Sequence, residues 1–256
     1  MRVDANSTAT PTKATKRLMT IGALVFCVCA APRTAAAQTM QWTDKGYVSV
    51  NVGFQAGSHD LSTTSTPKIY EENATITATQ KVKGGALFDI GAAYRVWGHN
   101  LLAGVFYSRT SSKADLNITG SIPDPIITDT LRPAQTTQPG AKHAENAIHL
   151  NAIWMMPVAE KIDVGVFAGP TIFNINQDAA GTPTVTEPAP TITAPLVKVS
   201  KTTVGINLGV DAQYMVAKKI AVGGLARYAW GSVGLGSGSK LTVGGFQLGV
   251  GARYRF

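Results

Sequence analysis

Lys201 to Val216 reads KTTVGINLGVDAQYMV, and its order decides the fold. Val204, Ile206, Leu208, Val210, Ala212, Tyr214 and Val216 occupy even positions, whereas Lys201, Thr203, Gly205, Asn207, Gly209, Asp211 and Gln213 occupy odd ones. A buried helix face places apolar residues three and four apart; strict alternation belongs to a strand with one apolar and one polar face. The C-terminal stretch repeats the pattern, with Phe246, Leu248, Val250, Ala252, Tyr254 and Phe256 against Gln247, Gly249, Gly251, Arg253 and Arg255. So do Ile162–Ile172, where Ile162, Val164, Val166, Ala168 and Ile172 oppose Asp163, Gly165, Phe167, Gly169 and Thr171, and 86–97, where Phe88, Ile90, Ala92, Tyr94 and Val96 oppose Asp89, Gly91 and Arg95.

Eight such segments are predicted, at about 46–56, 74–97, 101–112, 142–157, 161–175, 198–216, 219–232 and 240–256. Tight turns are expected at Gly98-His99-Asn100, around Val158-Ala159-Glu160 and at Ala217-Lys218. Longer polar connectors are expected at 57–73, 113–141 and 176–197, with a short glycine-serine one at 233–239. Long and short connectors alternate, as in an all-β, eight-stranded antiparallel up-and-down barrel with turns at one rim and loops at the other.

The N-terminus reads differently. Arg2, Lys13, Lys16 and Arg17 precede LMTIGALVFCVCAA (Leu18–Ala31) and the small-residue end Ala35-Ala36-Ala37. This is the layout of a secretory signal peptide over 1–37, cleaved between Ala37 and Gln38, with 38–45 a short periplasmic lead into a barrel over 46–256. Neither Cys27 after Phe26 nor Cys29 after Val28 suits a lipoprotein signal. Both cysteines leave with the signal, so no disulfide is expected. Eighteen basic and fourteen acidic residues remain, a net charge of +4 without a basic run, which argues against nucleic-acid binding. No apolar run reaches the length of a membrane-spanning helix.

An outward apolar stripe marks a membrane barrel and an inward one a soluble barrel. Aromatics favour the first: Tyr94, Trp154, Tyr214, Tyr254 and Phe256 fall near the turn rim, and Phe54, Tyr107, Tyr228 and Trp230 near the loop rim. Rings at two levels suit the two headgroup zones, and an aromatic girdle is expected of Tyr94, Trp154, Tyr214, Tyr228, Trp230 and Tyr254. The polar face carries opposite charges, so Asp89, Arg95, His149, Asp163, Lys201, Asp211, Arg227 and Arg253 are expected to form a lumen network. Eight strands leave room only for side chains.

Gly251-Ala252-Arg253-Tyr254-Arg255-Phe256 resembles the C-terminal strand signature of bacterial outer-membrane barrels, with Gly251, Tyr254 and Phe256 as its assembly signal; Gly249 stands where a polar residue is usual. With the leader and eight strands, the chain resembles the small OmpA/OmpX/OmpW-like barrels. That resemblance implies the bacterial outer membrane as location, the barrel-assembly machinery as a transient partner, and outer-membrane lipid and lipopolysaccharide as surroundings. A monomer is expected.

Among such barrels are lipid A acylases and deacylases. A deacylase places a histidine two residues before its serine, but His149-Leu150-Asn151 puts an amide there. His59, His99 and His143 fall in loops or turns. His143, Glu145 and His149 share a face but spread over about 20 Å at roughly 3.3 Å per residue, too far for one metal ion. No catalytic residue, cofactor or metal is therefore expected. Asn73-Ala74-Thr75 and Asn117-Ile118-Thr119 match the glycosylation acceptor, which carries no weight in a bacterial outer membrane. The leading expectation is a non-enzymatic structural or surface-interaction barrel acting through its loops. A narrow pore or transporter for small solutes is the alternative, with Phe106, Ile153, Phe167, Phe173 and Leu225 as its apolar lining, and a lipid A-modifying enzyme the second.

Overall fold

The computed structural model describes residues 41–187, 189–234 and 240–256, with backbone only at 58–60 and 240. The expected signal peptide, its Ala37/Gln38 cleavage point and residues 38–40 lie outside the described residues. Fourteen strands follow in order: β1 (Gly46–Ala56), β2 (Ser58–Ser65), β3 (Lys68–Ile69), β4 (Glu72–Asn73), β5 (Thr75–Lys83), β6 (Ala86–Trp97), β7 (Leu101–Pro123), β8 (Leu131–Ala159), β9 (Ile162–Ala180), β10 (Thr184–Thr186), β11 (Thr191–Thr193), β12 (Leu196–Ala217), β13 (Ile220–Gly234) and β14 (Lys240–Arg255). Eight of them (β1, β6, β7, β8, β9, β12, β13 and β14) pair antiparallel in a ring that closes through β1–β14 and β7–β8.

The ring is inside out relative to a soluble protein. Val50, Ile90, Val105, Leu150, Val166, Leu208, Val222 and Val250 are exposed on its outer face, while Asp89, Asp211, Arg227 and Arg253 are buried within it. An apolar surrounding makes that arrangement stable, because in water the apolar stripe would stay exposed while the charges inside had still lost their hydration.

Four expectations for the strands and connectors change, the first being the connector 57–73, which carries β2, β3 and β4. The segment 74–97 is two strands, broken at Gly84-Gly85, because β5 pairs with the upper part of β7 and β6 with its lower part. The connector 113–141 is mostly strand: β7 and β8 stay paired from Leu101↔Trp154 up to Pro123↔Leu131. The connector 176–197 is shortened likewise, since β9 and β12 pair as far as Ala180↔Leu196. The rim turns fall at Gly98–Asn100, Glu160–Lys161 and Lys218–Lys219.

Above the ring the polarity inverts without a change of secondary structure. Ile76, Ala78, Leu116, Ile118, Ile122 and Ile192 face inward in one apolar core, and Thr75, Thr79, Asn117 and Thr119 face outward. Water replaces lipid around this part, so the hydrophobic stripe moves to the inner face. The upper sheet is open. β2 pairs only with β5, and β12 above Gly205 pairs only with β9, leaving β2 and β12 as its two edges among the described residues.

Candidate functional site

The lumen brings inward-facing residues of all eight ring strands together. At mid-height Asp89 on β6 meets Arg227 on β13 at 2.9 Å and accepts a hydrogen bond from Asn51 Nδ2 at 2.9 Å. Arg227 also donates to Gln247 Oε1 (3.2 Å), and its guanidinium lies 5.7 Å from the Phe167 ring centroid. Gln247 donates to Gln55 Oε1 (2.7 Å), which also accepts from Thr110. Gln55 in turn donates to Glu145 Oε2 (3.0 Å). Glu145 accepts from the Gly244 N–H and lies 2.9 Å from His143 Nε2. The Gly244 contact depends on a φ of 90°, a backbone state that glycine adopts without strain. His143 Nδ1 meets Gln177, which donates to Gln80. One chain of side chains thus runs from Asn51 to Gln80 and crosses the lumen.

Nearer the turn rim, Arg253 grips Asp211 with two hydrogen bonds, 2.6 Å from Nη2 and 3.3 Å from Nε. Arg255 bridges Asp163 (2.6 Å) and Asp44 (2.7 Å). Its guanidinium stacks 3.8 Å from the ring centroid of Trp42, a side chain only 1% exposed. Trp42 packs edge-on against Tyr47, and with Phe106, Ile153, Phe167 and Leu225 these rings form one buried cluster. Trp42, expected within a plain lead into the barrel, is therefore buried in its mouth. Gly91 and Gly104 leave space for the Phe106 ring, which a Cβ at either position would overlap.

Of the residues expected in the lumen network, Asp89, Asp163, Asp211, Arg227 and Arg253 are buried there and ion-paired. Arg95 stands apart, half-buried at the turn rim, where it donates to the carbonyls of Trp42 and Thr43. Lys201 does not join the network. It is exposed on β12 above Gly205, where β12 has parted from β13 and the ring no longer encloses it. His149 is buried in a separate group, its two nitrogens 2.9 Å from Ser108 Oγ and Thr171 Oγ1. Asn207 joins that group by donating to Thr171 and Asn151. A serine beside an imidazole is the start of a nucleophile–base pair, but here the second nitrogen meets a hydroxyl instead of an orienting carboxylate. Tyr94, Trp154, Tyr214, Tyr228, Trp230 and Tyr254 project from the outer face about half exposed. Gly251 packs on β1 opposite Asn51, and Phe256 exchanges backbone hydrogen bonds with Gly46.

Sequence reasoning missed Gln55, Gln80, Gln177 and Gln247, since glutamines on a polar stripe carry no signal of which partners they will meet. It also missed a cluster at the loop tips. Arg132 grips Glu187 with two hydrogen bonds (3.0 and 2.6 Å), lies 3.3 Å from Asp124, and Glu187 accepts from the Tyr70 hydroxyl. Arg132 holds the Glu187 carboxyl below its usual range, and the N–H groups of Ile126 and Ile127 do the same for Asp124. Beneath the tips lie two apolar cavities of about 550 and 190 Å³ that share Thr63, Ala78 and Ala180.

The family model for the outer membrane protein beta-barrel domain matches residues 21–256. None of the curated proteins matches. Among solved structures, the chain is similar to Neisserial surface protein A, at 15% identity over 82% of this chain and 97% of that one, with a TM-score of 0.44. It is similar to Ail of Yersinia pestis, at 10% identity over 83% and 99%, with a TM-score of 0.39. It is also similar to the outer membrane protease OmpT of Escherichia coli, at 11% identity over 86% and 99%, with a TM-score of 0.46. The chain belongs to the outer-membrane protein β-barrel family and is a barrel of the bacterial outer membrane.

Proposed function

We propose that this barrel is a non-enzymatic surface protein, closed through its lumen and acting through its extracellular extensions. The observation that carries the reading is the chain of buried side chains from Asn51 through Arg227, Gln55 and Glu145 to Gln80, with the Trp42–Arg255 stack below it. Buried charges held in such pairs are costly to separate, so thermal motion leaves the lumen shut. β2, β5 and the paired tips of β7–β8 and β9–β12 instead build a folded head above the ring, suited to contact with lipid, polysaccharide or another surface.

Single-channel recording of the purified chain in a planar bilayer tests this. Silence is expected; regular ohmic steps at neutral pH overturn it. A second reading, passage of small apolar solutes, is favoured by the two apolar cavities beneath the tips. Saturable binding of a neutral fluorescent hydrocarbon, lost on Ala180→Trp, would support that reading over the first.

A further inference from the structure

The apex of the head breaks the pattern of its flanks. Thr75, Thr79, Asn117 and Thr119 line the outer face below it, yet at the β7–β8 tip large apolar side chains return to the surface. Ile126, Ile127 and Leu131 are 89%, 59% and 57% exposed, and Tyr70, at the turn between β3 and β4, is 45% exposed. The two turns are tied together. The Asp129 N–H donates to Glu72, and the Tyr70 hydroxyl donates to Glu187, which Arg132 grips. Apolar side chains gathered at one point of an otherwise polar surface mark a contact site.

The lipid around the ring does not cover this apex. From Leu101 at the turn rim to Pro123, β7 runs about 70 Å at roughly 3.3 Å per residue, or about 55 Å vertically at a tilt near 40°. The lipid-facing band of such barrels is about 25 Å tall, so the tip stands about 30 Å beyond it. Whatever receives Ile126 and Ile127 belongs to another body.

The backbone of the tip suits an apolar phase. Pro123 and Pro125 have no N–H. The Asp124 N–H donates to the Thr130 carbonyl (2.8 Å), and the N–H groups of Ile126 and Ile127 both donate to Asp124 Oδ1, at 2.9 and 3.0 Å. Unsatisfied backbone donors are what bars a turn from hydrocarbon, and from 123 to 127 each donor is absent or engaged within the turn itself. Charge then selects the surface. Glu71, Glu72, Asp124, Asp129 and Glu187 outnumber Lys68 and Arg132 around the tip, a balance that anionic lipid repels. We propose that Ile126, Ile127, Leu131 and Tyr70 dock the head into the interfacial layer of a second, apposed membrane whose surface is zwitterionic phospholipid. So few side chains give reversible attachment, of the order of a single acyl chain, and many copies facing one surface add their contributions. The proposal rests on the surface-interaction reading and deepens it by naming the chemistry that the head meets.

Co-sedimentation of the full chain, held in a nanodisc, with protein-free, sucrose-loaded phosphatidylcholine vesicles tests the docking. Association is expected, and I126S/I127S is expected to lower the partition coefficient about tenfold. V197S, which alters a half-exposed valine on the β12 edge, is expected to leave it unchanged. Phosphatidylserine added to the vesicles is expected to weaken association at low salt, and added salt to restore it. Three results overturn the proposal: no association, association indifferent to I126S/I127S, or association strengthened by phosphatidylserine. The first would turn attention to a partner protein with an apolar pocket and a basic rim. Retention of the heat-dependent shift on SDS gels shows that a variant is folded; should I126S/I127S fail to fold, L131S takes its place with the same direction expected. Ohmic steps in the bilayer recording would defeat the closed-barrel reading and leave vesicle docking standing, whereas silence there without docking would defeat this proposal alone.

Discussion

Arg227 and Asp89 meet at 2.9 Å in the centre of the barrel, on strands that are not neighbours, with side chains 1% and 0% exposed. Among the described residues each is the other's ion-pair partner, and removing either leaves the other buried without it in a low-dielectric interior. Arg227→Ala is therefore expected to destabilise the folded barrel by about 3–5 kcal/mol. The apolar double variant Arg227→Met/Asp89→Leu is expected to lose less than the single one. Urea unfolding in phospholipid vesicles, followed by tryptophan fluorescence, measures both. A double variant as unstable as the single would show that the pair contributes through its wider hydrogen bonds to Gln247 and Asn51.

Outward residues of β12 supply a depth series for the membrane face. Leu208 lies mid-strand between Ala168 and Tyr228, while Val204 lies at the upper end of the apolar run. Leu208→Arg is expected to cost about 2–4 kcal/mol and Val204→Arg about 0–1 kcal/mol, since the burden of a lipid-facing charge falls toward the interface. Unfolding in vesicles gives the difference directly. Equal effects at the two depths would mean that the outer stripe does not face hydrocarbon.

Much of this fold was legible because lipid leaves a period-two record. In β12 and β14 the alternation of Val204–Val216 and Phe246–Phe256 has one cause, a hydrocarbon outside and polar partners inside. Above the membrane the record is rewritten. Leu116, Ile118 and Ile122 turn inward beside Asn117 and Thr119, so a reader following the outward apolar stripe finds it ending near Tyr107 and takes Lys113–Ala141 for a loop. The β7–β8 register also shifts between Ala114 and Leu116, which breaks the alternation where the inversion occurs. For the lumen, polarity identified Asp89, Asp211, Arg227 and Arg253 as inward. It could not pair them, because partners such as Asp211 and Arg253 come from strands that sequence does not align in height. Lys201 shared their parity but stands above the enclosure, and parity says nothing of where an enclosure stops.

Trp42 is sealed against Arg255 inside the mouth, whereas Trp97, Trp154 and Trp230 are exposed on the outside. Brominated lipids are thus expected to quench a variant retaining only Trp154 or only Trp230, and to leave one retaining only Trp42 unquenched. Trp42→Ala is expected to cost about 3–5 kcal/mol through the cavity it opens among Tyr47, Phe106 and Leu102. Quenching of Trp42 comparable to that of Trp154 would place the segment outside the lumen.

The loop tips should loosen in acid. Glu187 and Asp124 ionise more readily in the folded protein than their ordinary values of 4.5 and 3.8, Glu187 chiefly through the hydrogen bond from Arg132 and Asp124 through the N–H groups of Ile126 and Ile127. Carboxyls with lowered values stabilise the folded state fully above the unfolded value, and that contribution disappears as pH falls through the folded one. Amide exchange across 124–132 and 184–193 is expected to be slow at pH 7 and, corrected for intrinsic rate, faster at pH 3. Arg132→Gln should raise exchange at pH 7 and shrink the difference between the two conditions. A pH effect undiminished by that substitution would trace the loosening to other carboxyls.

The ring closes at its turn rim through the last residue. The Phe256 carbonyl accepts from the Lys45 N–H (2.6 Å) and the Gly46 N–H (3.1 Å), and its own N–H donates to Gly46 O at 3.0 Å. Its side chain, in contrast, is 41% exposed on the outer face. Backbone closure and ring recognition can therefore be separated. Deleting Phe256 removes both and forfeits three hydrogen bonds of about 1 kcal/mol each, whereas Phe256→Ala keeps the backbone and loses only the ring. If the terminal aromatic serves as an assembly signal, both variants insert poorly in cells, yet Phe256→Ala refolds from urea into vesicles as well as the parent chain. If it serves only to close the ring, Phe256→Ala behaves as the parent in both settings and the deletion fails in both. The heat-dependent shift on SDS gels reads the folded fraction in each case, and the signal reading stands or falls on the cellular behaviour of Phe256→Ala.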